Sequence, residues 1–133
     1  MITVRLTYGE CTINVVSAYA PQTGSTDEEK EEFWRKLENM MERIAVEERV
    51  VLGADLNGHV GAVKEGVERI HGGHGLGNVN AEGERILDTA ISFDMAIANT
   101  FFCKRVEHII TYKSRGNSTQ MTTLCTEDHI WSR

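Results

Sequence analysis

Apolar and polar residues alternate with a period of two through the first part of the chain, which is typical of β-strands. Two such runs cover residues 2–8 and 11–19, and Gly9 lies between them, where a tight hairpin needs a positive φ. The second run becomes apolar on both faces, so we expect it to be the more central strand. It ends before Pro21, which cannot donate to a sheet ladder.

A helical period follows. Thr26 and Glu29 have the spacing of a capping box, and the pattern predicts a helix to about Ile44. Its predicted buried stripe is Phe33, Leu37, Met40, Met41 and Ile44. The apolar run at residues 50–52 predicts a buried strand. Strand, helix and strand therefore form a crossover unit, which favours parallel pairing.

The rest of the chain has weaker signals. Residues 62–80 look irregular, and Asn80 is a good cap for a helix whose predicted apolar face is Ile86, Leu87, Ala90, Ile91 and Met95. Short strands are predicted at residues 95–98 and 108–112, and a turn at residues 114–118. Residues 121–133 show no clear period.

Composition limits the class of protein. At 133 residues, with 41% hydrophobic and 26% charged residues, the chain predicts one folded domain or a piece of one. The longest apolar run is far shorter than the roughly 18 residues that span a bilayer. Three cysteines without a close pair, and no visible signal peptide, predict an intracellular protein of the nucleus or cytoplasm, not a secreted or membrane one.

Charge bears on partners. The net charge of −6 argues against strong general binding of nucleic acid, because phosphate contact needs clustered Lys and Arg. Acids outnumber bases in residues 26–44, whereas residues 104–115 are basic. A phosphate-bearing partner would meet the second region, and an ordinary solvated surface explains the same pattern equally well.

Asp55 and Asn57 follow the buried strand at residues 50–52 and precede two glycines. A carboxylate and an amide two residues apart at a strand end can face one cleft and build a cation or phosphate site. The same spacing is typical of a turn whose side chains bond their own backbone.

Other strand ends also carry polar groups, namely Tyr19, Asn99 with Thr100, and Thr111. Ligands gather at strand ends in layered α/β folds. A carboxylate could hold or deprotonate a water, an amide could hold a phosphate oxygen, and a tyrosine hydroxyl could stabilise an oxyanion. That set suits phosphodiester hydrolysis assisted by Mg²⁺.

The segment from His71 to Gly77 is rich in glycine. We expect a flexible loop there. A zinc site at His71 and His74 is an alternative, although the sequence offers no second pair of ligands in register.

The runs Ser17–Pro21, Gly53–Gly61 and Asn99–Phe102 together resemble the endonuclease/exonuclease/phosphatase superfamily, in its retrotransposon-type endonuclease branch. Residues 71–77 and 82–88 resemble that branch too, and the resemblance covers roughly residues 1–120. Ala54 departs from the family pattern, which has Gly before the Asp.

The resemblance implies an α+β fold, part of a four-layer, two-sheet β-sandwich flanked by helices. It also implies cleavage of phosphodiester bonds in DNA with Mg²⁺ or Mn²⁺. Asp55 would bind the metal and activate water, Asn57 would contact phosphate or metal, and Tyr19 would support the phosphate. Asn99, Thr111 and Tyr112 would lie at the substrate groove.

Several family motifs have no counterpart. We expect the metal-binding Glu, the second Asp and the general-base His to be missing, and activity to be impaired. A non-catalytic module that binds a protein partner is the alternative function. Residues 121–124 can be encoded so that one inserted base yields Ile-Asp-Tyr-Ile, as in the family. We therefore expect a partial domain at residues 1–120 and a divergent tail at 121–133, produced by a one-base deletion.

Overall fold

A five-stranded mixed sheet with two helices on one face dominates the computed structural model, which describes residues 1–62, 65–103, 112–114, 117–119 and 122–126. The strands are β1 (Ile2–Tyr8), β2 (Cys11–Tyr19), β3 (Arg49–Asp55), β4 (Met95–Ile97), β5 (Tyr112–Ser114), β6 (Asn117–Thr119) and β7 (Thr122–Thr126). The helices are α1 (Asp27–Met41), α2 (Ala81–Ser92) and a short 3-10 helix (Ala98–Phe101).

The sheet order is β1-β2-β3-β7-β4, and β5 pairs with β6 in a separate two-stranded sheet. The hairpin β1–β2 is antiparallel, and Gly9 has a φ of 59°, as predicted for its turn. Strands β2 and β3 are parallel, while β7 is antiparallel to both β3 and β4. The predicted α+β class and the parallel crossover through α1 are therefore confirmed.

Both helices begin at the predicted caps. Glu29 donates its backbone N–H to Oγ1 of Thr26, and the Glu29 carboxylate accepts from the N–H of Thr26, so the capping box is complete. The side chain of Asn80 accepts from Gly83 at 2.8 Å. Helix α1 ends at Met41, so the prediction that it reaches Ile44 was too long.

The core lies between the helices and one face of the sheet. Alternate residues of β2 and β3 are buried there, such as Val16 and Leu52. Trp34 of α1 is only 3% exposed although the predicted stripe omitted it, whereas Ile91 was predicted inside and is 55% exposed. Cζ of Arg85 lies over the Trp34 ring, 5.7 Å from its centroid. Helix α2 therefore covers the indole, and the local sequence around Trp34 does not predict that contact.

The opposite face of the sheet is open and apolar. Partners in an antiparallel pair point to the same face, so Val4 and Val15 lie together there. Both side chains are substantially exposed, at 50% and 39%. Other large side chains exposed on the same face are Ile2, Leu6, Tyr8 and Tyr19.

Strand β7 was not predicted. Thr122–Thr126 pairs with β3 on one side and β4 on the other, and Leu124 is fully buried. The described part of the predicted tail thus belongs to the centre of the sheet. The one-base deletion concerns the gene and stays a prediction.

The predicted strand at residues 108–112 lies outside the described residues except for Tyr112. No helix among the described residues is long and apolar enough to cross a membrane.

Candidate functional site

Tyr19 and Asp55 end two neighbouring strands side by side. They are register partners in the parallel pair β2–β3, so their side chains leave the same face of the sheet. The pairing continues one residue further, because the backbone N–H of Ala20 donates to the carbonyl of Asp55 at 2.8 Å. Tyr19 is 60% exposed and Asp55 is half-buried, so a ligand can reach both.

The carboxylate of Asp55 also organises the loop that follows it. Its Oδ1 accepts the backbone N–H of Asn57 at 3.2 Å, which closes an Asx turn. Asn57 has a φ of 51°, a left-handed conformation that Asn tolerates better than most residues. The turn interpretation of this motif is therefore confirmed. Any function in ligand binding falls to the side-chain atoms that the turn does not use, above all Oδ2 of Asp55.

Asn57 connects the two strand ends. Its Nδ2 donates to the carbonyl of Ala20 at 2.8 Å, so the amide is fixed across the gap between β3 and the end of β2. With Nδ2 used in this bond, Oδ1 is the atom of Asn57 left to accept from water or to contact a cation. The amide thus has one structural contact, through Nδ2, and one oxygen left for a ligand.

Asn99 reaches the same end of the sheet from the 3-10 helix after β4. Its Oδ1 accepts from the backbone N–H of Thr123 at 3.1 Å, and Thr123 is the register partner of Gly53. Asn99 is therefore connected, through β7, to the strand that carries Asp55. The pattern of polar residues after strands predicted this gathering, but the part played by Thr123 depended on the unpredicted β7.

Gln22 is a further residue that the sequence did not indicate. Its Nε2 donates to the hydroxyl oxygen of Tyr19 at 3.1 Å. This bond leaves the Tyr19 O–H proton free to donate to an anion. The signal that could have revealed it is only a polar residue soon after Pro21, which is common in loops.

The other two predicted substrate residues are Thr111 and Tyr112. Thr111 lies outside the described residues. Tyr112 begins β5, which belongs to the two-stranded sheet with β6 and not to the five-stranded sheet. Their predicted place at a substrate groove stays a prediction.

Helix α2 clamps the loop after Asp55. Oδ1 of Asn80 accepts from the N–H groups of both His59 and Gly83, at 2.9 and 2.8 Å. A Cβ built on Gly83 would lie 1.9 Å from the carbonyl oxygen of His59, and one on Gly58 would lie 2.8 Å from the backbone of Glu82. The loop and the first turn of α2 are thus in direct backbone contact, which only glycine permits.

The glycine-rich segment is an irregular loop, as predicted, and several of its backbone groups are packed against neighbouring segments. Gly72 donates to Oγ1 of Thr100 at 2.9 Å, and His74 donates its N–H to the carbonyl of Thr100 at 3.0 Å. A Cβ on Gly75 would lie 1.7 Å from the carbonyl oxygen of Gly61. Gly75 therefore packs against the loop that follows the Asp55 site and Gly72 packs against the 3-10 helix, whereas a Cβ on Gly77 would meet nothing within 4 Å.

His71 is fully buried in this segment, and its Nδ1 accepts from the backbone N–H of Gly73 at 3.0 Å. Among the described residues its Nε2 has no hydrogen-bond partner. Burial lowers the pKa of His71, and the nearby His74 adds to the lowering, while the Gly61 carbonyl opposes it. The described residues contain no group of three or more His, Cys, Asp or Glu that could hold a metal, so the zinc alternative gains no support.

The donor set at the strand end suits Mg²⁺ or Mn²⁺ only in part. Asp55 supplies one carboxylate, and Asn57 and Tyr19 supply neutral oxygens. Mg²⁺ binds through one or two carboxylates together with waters and substrate phosphate, and this set offers one carboxylate. Asp55 would be the metal ligand.

Of the three cysteines, Cys125 is the buried one. Cys125 of β7 is the register partner of Val51, and burial raises the pKa of its thiol. A thiol kept protonated is a poor nucleophile.

Compared with models of known protein families and with curated proteins, the chain gives no match.

Proposed function

We propose that this chain is an endonuclease/exonuclease/phosphatase-like domain of the retrotransposon type, whose β3 strand end binds a divalent cation and a phosphodiester with little catalytic turnover. The observation that carries the proposal is the register pair of Tyr19 and Asp55, with Asn57 tying the two strand ends together. Hydrolysis of DNA is the activity from which such a site would descend.

The finer architecture belongs to this proposal. Half of a two-sheet sandwich presents one sheet face to helices and the other, apolar, to a second sheet. The five-stranded sheet has this division, with α1 and α2 on one face and exposed residues such as Val4 and Val15 on the other. This division supports a four-layer fold as the parent architecture.

In the proposed site Asp55 would hold Mg²⁺ or Mn²⁺, because one of its carboxylate oxygens is not used in the Asx turn. The cation would supply charge stabilisation for a phosphoryl oxygen. The Tyr19 hydroxyl, which accepts from Gln22, donates to a phosphate oxygen, and Oδ1 of Asn57 accepts from the attacking water. Asn99 positions β7 next to β3 through its bond to Thr123, and the family resemblance would place Thr111 and Tyr112 at the substrate strand.

Weak turnover is expected because few acidic groups among the described residues surround Asp55 and because the chain is negatively charged overall. Asp55 shares its carboxylate with the Asx turn, and the described residues contain no cluster of three or more potential metal ligands around it. Metal, base and second carboxylate act as a unit in such enzymes, so loss of part of the unit costs several orders of magnitude in rate. The net charge of −6 further weakens attraction to DNA.

A Mg²⁺ titration followed by NMR tests the proposal. Saturable shifts should occur at the backbone amides of Asp55 and Asn57, and they should vanish in Asp55→Ala but persist in Asp88→Ala, which removes an exposed acid from α2. Equal shifts at all acidic residues would overturn the cation site. Incubation with plasmid DNA and Mg²⁺ should give little cleavage, and rapid cleavage lost only in Asp55→Ala would contradict the proposed impairment.

A second candidate is a non-catalytic module that binds a protein. The exposed apolar face and the edge strand β1 favour it, since exposed contiguous apolar surface marks interaction sites. Binding to a partner that is unaffected by Mg²⁺ or chelator, together with no Mg²⁺ shifts at Asp55, would support this candidate over the first.

A further inference from the structure

Strand β1 is an edge of the five-stranded sheet. It pairs with β2 on one side without interruption, from Ile2 with Ser17 to Tyr8 with Cys11. In an antiparallel pair only alternate residues direct their N–H and C=O groups at the partner strand. The remaining groups of β1 therefore face outward, and among the described residues no strand pairs with them.

This edge lacks most of the features that usually block strand addition, and the exception is the charged side chain of Arg5, which pairs with the Glu48 carboxylate on the helix face. Its seven residues contain neither Pro nor Lys, and its unbroken register has no bulge. All seven residues are exposed. An extended chain could therefore pair with β1 along its whole length.

The two faces of β1 differ in chemistry. Ile2, Val4 and Leu6 lie on the open face of the sheet, at 69%, 50% and 55% exposure. Thr3 and Arg5 pair with the buried residues Val16 and Asn14, so they lie on the face that carries the helices. A strand added beside β1 would likewise place alternate side chains on an apolar face and on a helix face.

The helix face beside β1 contains a basic groove. It has a volume of about 490 Å³ and is lined by Thr3, Lys36, Asn39, Met40, Arg43 and Ile44. Arg43 forms none of the ion pairs found among the described residues, and Lys36 pairs only with the neighbouring Glu32 on the helix surface. Such an exposed pair has little stability, so both cations are available to an acidic side chain.

We propose that β1 binds an extended peptide in which apolar residues alternate with acidic residues, by addition of a strand to the sheet. The apolar side chains would cover Ile2, Val4 and Leu6, and the acidic ones would meet Arg43 and Lys36. Main-chain hydrogen bonds give affinity in this mode, and alternate side chains give specificity. The proposal deepens the interaction-module candidate and does not depend on a cation at Asp55.

Charge favours such a peptide over a second copy of the chain. An added copy of β1 would bring its own Arg5 to the helix face, which already carries Arg43 and Lys36. Like charges placed opposite each other in a sheet are destabilising. A strand with acidic side chains would place opposite charges together, which is stabilising.

The test is fluorescence anisotropy with a labelled peptide in which valine and glutamate alternate and whose length equals the seven residues of β1. The peptide should bind saturably, and Arg43→Glu should weaken binding about tenfold, because the reversal replaces attraction of a peptide glutamate by repulsion. Arg35→Glu makes the same change of charge on the exposed side of α1, outside the groove, and should have little effect. A peptide of the same sequence with N-methyl groups at alternate residues should not bind.

Four results would overturn the proposal. These are no saturable binding of the parent peptide, equal loss in Arg43→Glu and Arg35→Glu, undiminished binding of the N-methylated peptide, and self-association of the chain through β1 in sedimentation experiments. Circular dichroism confirms that each variant is folded. Chelation of divalent cations should leave peptide binding unchanged, so failure of the proposed cation site and failure of this proposal give different results.

Discussion

The backbone N–H of Asn57 donates to Oδ1 of Asp55 at 3.2 Å, so the carboxylate that is the best candidate cation ligand is also the acceptor that shapes its own loop. Structure and proposed function therefore depend on different properties of Asp55. The turn needs an acceptor oxygen, whereas a cation needs negative charge.

This difference can be measured. We expect Asp55→Asn to keep the turn, since an amide oxygen also accepts, and Asp55→Ala to lose about 1 kcal/mol of stability, as for one hydrogen bond. Both variants should lose the Mg²⁺ shifts at residue 57. Urea denaturation gives the stability of each variant, and an equal loss of stability in both would show that charge, not hydrogen bonding, holds the turn.

Asn57 contributes to stability in two ways. Its φ of 51° disfavours most side chains, and its Nδ2 bonds the carbonyl of Ala20. Asn57→Gly should cost about 1 kcal/mol, because it loses the hydrogen bond and keeps the backbone conformation easily. Asn57→Ala should cost about 2 kcal/mol, since the left-handed strain adds to the lost bond. Equal midpoints of denaturation for the two variants would contradict the strain argument.

Gly83 and Gly53 should respond to alanine in opposite directions. A Cβ on Gly83 would lie 1.9 Å from the carbonyl oxygen of His59, whereas a Cβ on Gly53 would meet nothing within 4 Å. Gly53→Ala should therefore stabilise the strand by about 0.5 kcal/mol. Gly83→Ala should destabilise by about 1–3 kcal/mol despite the better helix propensity of alanine, because the loop must move.

Thermal unfolding of the two variants checks this prediction. NMR shifts at His59 and Asn57 provide a second readout, since displacement of the clamped loop should appear there in Gly83→Ala only. A stabilised Gly83→Ala variant would mean that α2 does not hold the loop.

The pattern of residues predicted most of the local structure and less of the assembly. Alternation and caps gave β1, β2, α1 and the start of α2, because those signals are local. Strand β7 was missed because its apolar residues, Leu124 and Cys125, are adjacent and do not alternate with polar ones, and its burial comes from the strands on either side.

At the site, spacing indicated both a turn and a cleft for Asp55 and Asn57. Only the structure shows that Nδ2 of Asn57 donates to the carbonyl of Ala20, because that bond joins residues 37 apart in sequence. Whether the free oxygens bind a cation depends on charge that the fold gathers, which no local pattern encodes.

His71 should make stability depend on pH. It is fully buried with Nδ1 bonded to Gly73, and burial lowers its pKa below the ordinary value of 6.5 in the folded state. Between the folded and unfolded pKa values the unfolded chain binds more protons, so the free energy of unfolding rises with pH there. The contribution of His71 is therefore fully present above pH 6.5 and is lost as the pH falls toward the lower, folded pKa.

Urea denaturation above and below pH 6.5 measures this effect, with His71→Asn and His74→Asn as the compared variants. Asn at position 71 can still accept from Gly73 but cannot ionise, so its stability should depend less on pH than that of the parent chain. His74 is exposed, so His74→Asn should retain most of the dependence. Because His71→Asn loses packing volume, titration of the His71 ring resonances in the parent chain gives a second measure, and a midpoint above 6.5 would reverse the sign and refute the argument.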